Sequence, residues 1–502
     1  MFRKILIANR GEIAVRVIRA CREMGIVPVA VYSEVDRAAL HVRLAEEAYA
    51  LGGSSPAESY LNIEKILAVA RSCGAEAVHP GYGFLAENAR FVERCEQEGL
   101  AFIGPPSRPM DLMGRKTTSR KVMSEAGVPI IPGTMEPIRD ERDLRDAAAQ
   151  VGYPLLLKAS GGGGGKGLRL VRDASELASG FNMARSEAES SFGDSAVYIE
   201  KYIDDPHHIE VQILADHHGR TVFLGERECS LQRRYQKVLE ETPSPFLDDE
   251  TRRRMGETAV RAAAGIGYRN AGTVEFIVDG RKNFYFLEMN ARLQVEHPIT
   301  EMVTGIDLVK AQLEIAAGIP LDLKQEDIRP QGCALECRIY AEDPDNDFLP
   351  SPGRILHLHN PAGGFGIRED SGVYEGFVVP FEYDPLLAKL IAWGKTRDEA
   401  LRRMRRALSE YRIYGIKTTV PFFKRILSHP RFLGGDYTTH FIADMEKETP
   451  IESSEEKRVA VLAAGLKSLW DARHEASYSS RGAVSPWKLR GRAESHSNAS
   501  LR

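Results

Sequence analysis

Cysteine is scarce and unpatterned in this chain, with six residues in 502 and no Cys-x-x-Cys pair. That spacing argues against a disulfide framework and against a thiolate zinc site. Five of the six lie in apolar or periodic stretches, where a reduced, buried thiol is expected. Long apolar runs are also missing: nothing reaches the roughly 18 uncharged apolar residues that a membrane span requires. Neither sign of charge dominates. Lys plus Arg total 67 against 71 Asp plus Glu, a formal charge of -4. That balance carries no electrostatic footprint for nucleic acid and no basic block for a membrane surface. The opening Met1-Phe-Arg-Lys-Ile-Leu-Ile-Ala runs straight into a strand pattern, and Glu12 and Glu23 break the acid-poor pattern of a transit helix. These absences leave an expected cytoplasmic protein whose anionic ligands must be held by local clusters of basic residues.

What is present is an ordinary globular balance, 43% hydrophobic and 27% charged. The length calls for three or more domains. Residues 1–104 alternate strand and helix patterns: strands at Lys4–Ala8, Pro28–Tyr32, Ala77–His79 and Phe102–Ile103, helices at Gly11–Met24 and Ile63–Arg71. This is a βαβ-type open sheet. Its first turn, Asn9-Arg10-Gly11, lacks the three glycines that a dinucleotide pyrophosphate needs, so a nicotinamide-type site is rejected. Strand signals recur at 196–203, 208–214, 221–225, 271–278 and 284–290, with helices after Lys116, near 140–150 and near 174–189. A third block opens on the strand Ala334–Tyr340 and holds a long helix at 397–411. Beyond about residue 446, Val459, Leu462, Ala463, Leu466, Leu469 and Trp470 form a helical stripe behind a capping box, Ser453-x-x-Glu456. Residues 475–502, rich in Ser and basic residues, are expected to be disordered alone.

Two segments carry chemistry. The glycine run Ser160-Gly-Gly-Gly-Gly-Gly-Lys166-Gly167 lies between two strand patterns. It lacks the Gly, the Ser or Thr, and the following helix of a Walker A loop. Its bare backbone N–H groups suit a flap folding over phosphates, with Lys158 as a nearby cation; the alternative is a floppy hairpin turn. The second segment is Phe286-Leu-Glu288-Met-Asn290-Ala-Arg292-Leu-Gln294-Val-Glu296-His. If extended, period two puts Glu288, Asn290, Arg292, Gln294 and Glu296 on one face and Leu287, Met289, Leu293 and Val295 toward the core. Such a polar row is costly on an inner segment unless a ligand satisfies it. The turn Asp279-Gly280 makes a hairpin that brings Glu275 roughly opposite Glu288, and two facing carboxylates imply a hard cation between them. The alternative here is a charged edge strand on the surface.

Five motifs occur in order: Lys4-Ile-Leu-Ile-Ala-Asn-Arg-Gly-Glu-Ile-Ala14, His79-Pro-Gly-Tyr-Gly-Phe-Leu-Ala-Glu-Asn88, Ser230-Leu-Gln-Arg-Arg-Tyr-Gln-Lys237, Glu288-Met-Asn-Ala-Arg-Leu-Gln-Val-Glu-His297 and Glu336-Cys-Arg-Ile-Tyr-Ala-Glu-Asp-Pro344. With them, residues 1–445 resemble the ATP-grasp superfamily, specifically the biotin carboxylase component of biotin-dependent carboxylases. The resemblance implies a mixed α/β fold in three domains. These are a Rossmann-like N-terminal domain at 1–112, an ATP-grasp domain at 113–330 with a glycine-rich lid at about 131–203, and a biotin carboxylase C-terminal domain at 331–446. A helical, then disordered, tail would occupy 447–502.

The resemblance also implies roles. Lys116, Lys158, Gly164, Gly165, Glu200, Lys201 and His208 would contact ATP, Leu168 and Ile203 would line the adenine, and Gln232 and Tyr235 would join the nucleotide set. Glu275, Glu288 and Asn290 would hold Mg²⁺ (or Mn²⁺). Lys237, Arg292, Gln294 and Val295 would fix bicarbonate, Glu296 would deprotonate it, and Arg338 would steady the biotin enolate. Two residues depart from the family pattern: Tyr235 stands where His is usual, and Tyr340 replaces a smaller polar residue beside Arg338. No Met is followed by Lys, so the biotin-attachment signature is absent and biotin is expected on a separate carrier. The implied partners are that carrier, a carboxyltransferase subunit and a second copy of the chain, with Pro486-Trp487 as a docking element or an untethered tail. The expected activity is the first half-reaction of an acyl-CoA or pyruvate carboxylase. The rival readings are another ATP-grasp ligase forming an acyl or carbamoyl phosphate, and a non-catalytic nucleotide-binding scaffold.

Overall fold

The computed structural model describes residues 1–159, 168–192, 195–361, 363–448, 462 and 465–468. Met1–Ile442 make one compact unit and Ala443–Arg502 a second.

The first five strands are β1 (Lys4–Ile7), β2 (Val27–Tyr32), β3 (Glu47–Ala50), β4 (Ala77–His79) and β5 (Ala101–Phe102). They pair in parallel in the order β3-β2-β1-β4-β5. Ile5, Leu6 and Ile7 are all buried, as expected where helices cover both faces of a parallel sheet. The helix Gly11–Glu23 buries Ile13, Ala14, Val17 and Ile18 against it. A small antiparallel sheet follows, made of β6 (Leu155–Ala159), β7 (Leu168–Val171) and β8 (Val197–Lys201) in the order β7-β6-β8.

An eight-stranded antiparallel sheet organises the rest of the unit. It contains β9 (His207–Ala215), β10 (Thr221–Arg233), β11 (Gln236–Thr242), β12 (Asn270–Val278), β13 (Phe284–Asn290), β14 (Cys333–Tyr340) and the strands Leu386–Gly394 and Ile367–Ser371. The order is β13-β12-β9-β10-β11-β14, then Leu386–Gly394 and Ile367–Ser371. The third sequence block therefore continues the sheet of the second, edge to edge. In β9, Ile209, Val211 and Ile213 pack into one core with Phe276 and Phe286. Alternation then sends His208, Glu210 and Gln212 to the other face, also fully within the protein.

Two departures from the sequence pattern matter for the site. The extended run of alternating residues stops at Asn290, and a register shift at Leu287 lets Glu275 face Glu288 while Phe276 faces Phe286. Residues 291–296 are a loop that turns into the helix His297–Thr304, with Glu296 at its N-cap position. The single polar face expected for 288–296 is thus a strand end plus a loop. Elements without a clear sequence signal include β11 and the helices Asp249–Gly265, His297–Thr304 and Leu308–Ala316. Gly372 shows why the third block seats so closely on the first. A Cβ there would lie 2.6 Å from the Glu12 amide nitrogen and 2.8 Å from the Gly11 carbonyl carbon, so only glycine fits.

Candidate active site

Cross-strand partners share a face of a sheet, and here they line up as charge. Glu288 pairs with Glu275, Glu275 with Glu210, and Glu210 with Arg227, across β13, β12, β9 and β10. Glu240 pairs with Glu336 on β11 and β14. Glu210, Arg227, Glu240, Glu296 and Glu336 are buried, so this face holds a charge network out of water. Such a network persists where its members satisfy one another; Glu336, whose carboxyl has no hydrogen-bond partner among the described residues, is held well above the usual carboxylate range by burial.

Lys237 is its hub. Its Nζ donates to Glu210 at 2.6 Å, Glu275 at 2.8 Å and Glu296 at 2.9 Å. Burial works against the charged amine, but the three carboxylates outweigh it and hold its pKa well above the usual lysine value. Burial would likewise raise Glu275, yet Lys237 and His208 hold its carboxyl far below the carboxylate range. Glu275 also accepts from Asn290 Nδ2 at 2.8 Å and Gln294 Nε2 at 2.9 Å. His208 Nε2 lies 2.7 Å from Glu275, and Gln232 Nε2 lies 2.8 Å from His208 Nδ1. An amide nitrogen only donates, so the proton on His208 is assigned to Nε2, facing Glu275.

Glu296 is fully buried and pairs with Lys237 and, through its other oxygen, with Arg338 Nη2 at 2.9 Å. Burial pushes its pKa up, but Lys237, Arg338 and Arg227 drive it well below the usual value. Arg338 also meets Glu240 at 2.6 Å. At Glu240 burial outweighs the opposing pull of Arg338 and raises its carboxyl to about 7. Arg292 bridges loop and sheet: it donates to Glu87 at 3.0 Å, Gln294 Oε1 at 2.7 Å and Asn290 Oδ1 at 2.8 Å.

Two clefts open on either side of the segment 288–295. One, of about 430 Å³, is lined by Glu12, Tyr82, Arg292, Val295, Arg338 and Tyr340 among others. The other, of about 270 Å³, is lined by Arg120, Lys158, Glu200, Leu287, Glu288 and Asn290 among others. Glu200 accepts from both Arg120 and Lys158. Glu288 has an exposed side chain because this cleft is open. Its depth between protein walls, and then the neighbouring Glu275, nonetheless hold its carboxyl above the usual range. Among the described residues, no hydrogen bond or ion pair engages the Glu288 side chain. A carboxylate opposite a second carboxylate, with an amide oxygen two residues on, is an all-oxygen donor set suited to a hard divalent cation. The residues present therefore fit Mg²⁺ or Mn²⁺. A different set, His208, Glu210 and Glu275, also converges. The Lys237 ammonium pairs with both Glu210 and Glu275 of that set, which suits a lysine rather than a metal.

The structure thus gathers Lys237, Glu275, Asn290, Arg292, Gln294, Glu296 and Arg338 into one network. Lys158, Glu200 and Glu288 line the smaller cleft. His208 and Gln232 belong to the network through Glu275 rather than to a cleft wall. Lys201 donates instead to the carbonyls of Gly152 and Tyr153. Leu168 pairs with Lys158 across β6 and β7, and Ile203 follows β8; neither lines a described cleft. Tyr235 stands 70% exposed at the β10–β11 turn with φ +64°, lining neither cleft. Tyr340 lines the larger cleft beside Arg338. The side chain of Lys116, Gly164 and Gly165 with the whole glycine run, and Pro486-Trp487 lie outside the described residues. So does most of the tail stripe, although Leu462 and Leu466 are helical and exposed.

Residues that complete the network without having been singled out are Glu87, Arg120, Glu210, Arg227, Glu240 and Lys389. A signal existed for Glu210: His208-x-Glu210-x-Gln212 alternates with Ile209, Val211 and Ile213, a polar row as regular as the one in β13. The others come from separate elements, and only their apposition reveals them.

Three family models match the chain. The biotin carboxylase N-terminal domain matches residues 1–110. The carbamoyl-phosphate synthase L chain ATP binding domain matches 115–324. The biotin carboxylase C-terminal domain matches 336–444. Biotin carboxylase 1 of Bacillus subtilis is 53% identical over 443 residues, 88% of this chain and 98% of that protein. The propionyl-CoA carboxylase alpha chain of Ruegeria pomeroyi is 49% identical over 496 residues, 94% of this chain and 73% of that one. Among solved structures, the biotin carboxylase domain dimer of the Hydrogenobacter thermophilus 2-oxoglutarate carboxylase, in complex with MgADP, ADP and bicarbonate, superposes with a TM-score of 0.83. It is 49% identical and the match covers 88% of this chain and 98% of that one. A biotin carboxylase from Campylobacter jejuni, in a β-γ-ATP complex, gives a TM-score of 0.84 at 45% identity, over 88% of this chain and 99% of that one.

Proposed function

The chain belongs to the biotin carboxylase family, and from that membership we infer an ATP-dependent ligase that carboxylates biotin with bicarbonate. One observation supports a division of labour among its residues. The segment 288–295 is the shared wall of two clefts, and Lys237 ties Glu275, beside Glu288, to Glu296, beside Arg338.

We assign the smaller cleft to the nucleotide, with Lys158 and Arg120 facing its phosphates and Glu200 orienting both cations. Lys116, Gly164, Gly165, Leu168, Lys201, Ile203, His208, Gln232 and Tyr235 extend that set. Glu275, Glu288 and Asn290 would hold the divalent cation, which when bound neutralises phosphate charge during transfer. Lys237, Arg292, Gln294 and Val295 hold bicarbonate in the larger cleft, against the wall it shares with the smaller one. Glu296 accepts the bicarbonate proton as the anion attacks the γ-phosphate in line, giving carboxyphosphate and ADP. With its pKa driven so low, Glu296 is a poor base while the cleft is free of anion. Bicarbonate entering beside Lys237 and Arg292 shares those cations, which raises the Glu296 pKa toward a useful value. Carboxyphosphate then yields CO₂ and phosphate, phosphate removes the ureido N1 proton, and Arg338 stabilises the enolate oxygen. For this, Arg338 must exchange its bond to Glu296 for one to biotin while Glu240 keeps it in place.

We further propose domains at 1–112, 113–330 and 331–446 with a tail at 447–502, a cytoplasmic location, and assembly as a homodimer. A biotin carrier and a carboxyltransferase subunit would be the partners. No helix among the described residues is long and apolar enough to cross a membrane.

ADP release from ATP, Mg²⁺ and bicarbonate, increased by free biotin, is the direct test. Background release under those conditions would remove the assignment, and stimulation by ammonia instead of biotin would favour a carbamoyl phosphate chemistry. Two variants test the roles. Arg338→Gln should retain part of the bicarbonate-dependent ADP release while lowering carboxybiotin formation about tenfold or more, measured as fixed ¹⁴C. Equal loss of both would overturn the division. Tyr235→His should change KM for ATP several-fold at most, the scale of one ribose hydrogen bond at about 1 kcal/mol, with kcat nearly unchanged. A tenfold fall in kcat, about 1.4 kcal/mol, would place Tyr235 in the chemical step.

A further inference from the structure

We propose that Lys389 and His297 are positioning residues that aim the backbone amides of Val295 and Glu296 into the larger cleft as a seat for the bicarbonate anion. This rests on the assignment of that cleft above. Lys389 lies on the strand Leu386–Gly394, directly opposite Arg338. Its side chain is fully buried, and its Nζ donates to the Val295 carbonyl at 2.9 Å. Glu12 lies 3.2 Å away, Asp370 4.0 Å, and the Tyr82 ring centroid 5.7 Å. His297 is also fully buried, with Nδ1 2.8 Å from the Gln294 carbonyl. A carbonyl only accepts, so the ring proton in this bond is on Nδ1. Burial, and then the cations Lys389, Arg16 and Arg368, hold the ring neutral.

Two successive carbonyls are therefore drawn to buried donors. The cis peptides of the described chain are Tyr153–Pro154 and Thr242–Pro243, so the peptides 294–295 and 295–296 are trans. In a trans peptide the N–H points opposite the carbonyl. Residues 295 and 296 form a turn, so the carbonyls align instead of alternating as they would in a strand. The amides of Val295 and Glu296 consequently point away from Lys389 and His297, on the side where Val295 and Arg292 line the cleft. Neither amide donates to any acceptor among the described residues. Unpaired backbone N–H groups in succession, beside a guanidinium, make an anion-binding concavity. Lys389 could instead be only a strut that joins its strand to Glu12; that role would affect stability without selecting one substrate.

The full chain carries the test. Lys389→Met is combined with Glu12→Gln so that Glu12 is not left charged without its cation, while Asp370 keeps Arg368. His297→Leu removes the second donor, and His297→Asn places an amide nitrogen near the Nδ1 position. KM values for bicarbonate and ATP come from ADP release, and the rise in Tm on adding bicarbonate to the ADP-bound protein gives an independent readout. The double variant and His297→Leu should raise KM for bicarbonate about tenfold or more, lose the bicarbonate-induced Tm rise, and leave KM for ATP within about twofold. His297→Asn should stay near the parent protein in all three. An unchanged KM for bicarbonate in folded variants, a parallel rise in KM for ATP, or Asn behaving like Leu would overturn the proposal. If the double variant does not fold, the contrast between Asn and Leu at 297 decides alone. Absence of bicarbonate-dependent ADP release in the parent protein would instead remove the assignment of the cleft.

Discussion

Glu296→Gln should lower bicarbonate-dependent ADP formation by about a hundredfold or more, the scale of removing a positioned general base. The substitution keeps the shape of a side chain that is fully buried between Lys237 and Arg338. It removes the negative charge and one of the two oxygens that accept from Lys237 and Arg338, turning an amide N–H toward one of those cations. Carboxybiotin formation should fall in step, because no carboxyphosphate forms without proton removal. Nucleotide binding should change little, since Glu296 does not line the smaller cleft that holds Lys158 and Glu200. Removing one member of a buried ion pair costs about 3–5 kcal/mol of stability. Here the loss is smaller, because Lys237 keeps Glu210 and Glu275 and Arg338 keeps Glu240. Single-turnover ADP release on a variant shown to be folded by its near-parent Tm separates chemistry from stability. Activity within tenfold of the parent would show that another group takes the proton.

Glu288→Gln should lower ADP formation at saturating bicarbonate by about a hundredfold, ~2.7 kcal/mol, and raise the Mg²⁺ concentration needed for half-maximal rate. The two carboxylates Glu275 and Glu288 are cross-strand partners, yet their surroundings differ. Glu275 is already satisfied by Lys237, His208, Asn290 and Gln294. The Glu288 side chain has no bonded partner among the described residues and is held above the usual carboxylate range. Its charge is therefore the one left for a cation to neutralise, and deleting it removes a ligand while disturbing no protein contact. The fold should be unaffected, and without metal the Tm should be unchanged or slightly higher, since a facing like charge is gone. Near-normal turnover at low Mg²⁺ would remove Glu288 from the metal set.

Local sequence alone was sufficient wherever one element carried its own message. The apolar runs of β1, β2 and β4 and the amphipathic helix Gly11–Glu23 read directly as a parallel open sheet. The alternation in β12 and β13 with the turn between them placed Glu275 roughly opposite Glu288, and the register shift at Leu287 makes the pairing direct. The facing carboxylates Glu275 and Glu288 pointed to a hard cation, while the anion contacts and the base came from the family resemblance. The five ordered motifs pointed to the family to which the chain belongs.

Tertiary structure decided what those residues do to one another. Lys237 gains three carboxylate partners from β9, β12 and the loop after β13. Arg338 finds Glu240 and Glu296, not Glu336, the residue beside it on the same face of β14. The polar face expected to run unbroken through Glu296 ends at Asn290, since the chain must leave the sheet to cap the helix His297–Thr304. Lys389, 94 residues from the carbonyl it holds, had no local signal at all. The physical reason is the range of each effect. Hydrophobic period and turn chemistry act over a few residues, so they are written in order along the chain. A charge buried in low dielectric takes its pKa and its partner from whatever the fold places within a few ångströms, and that is set by strand order across the sheet.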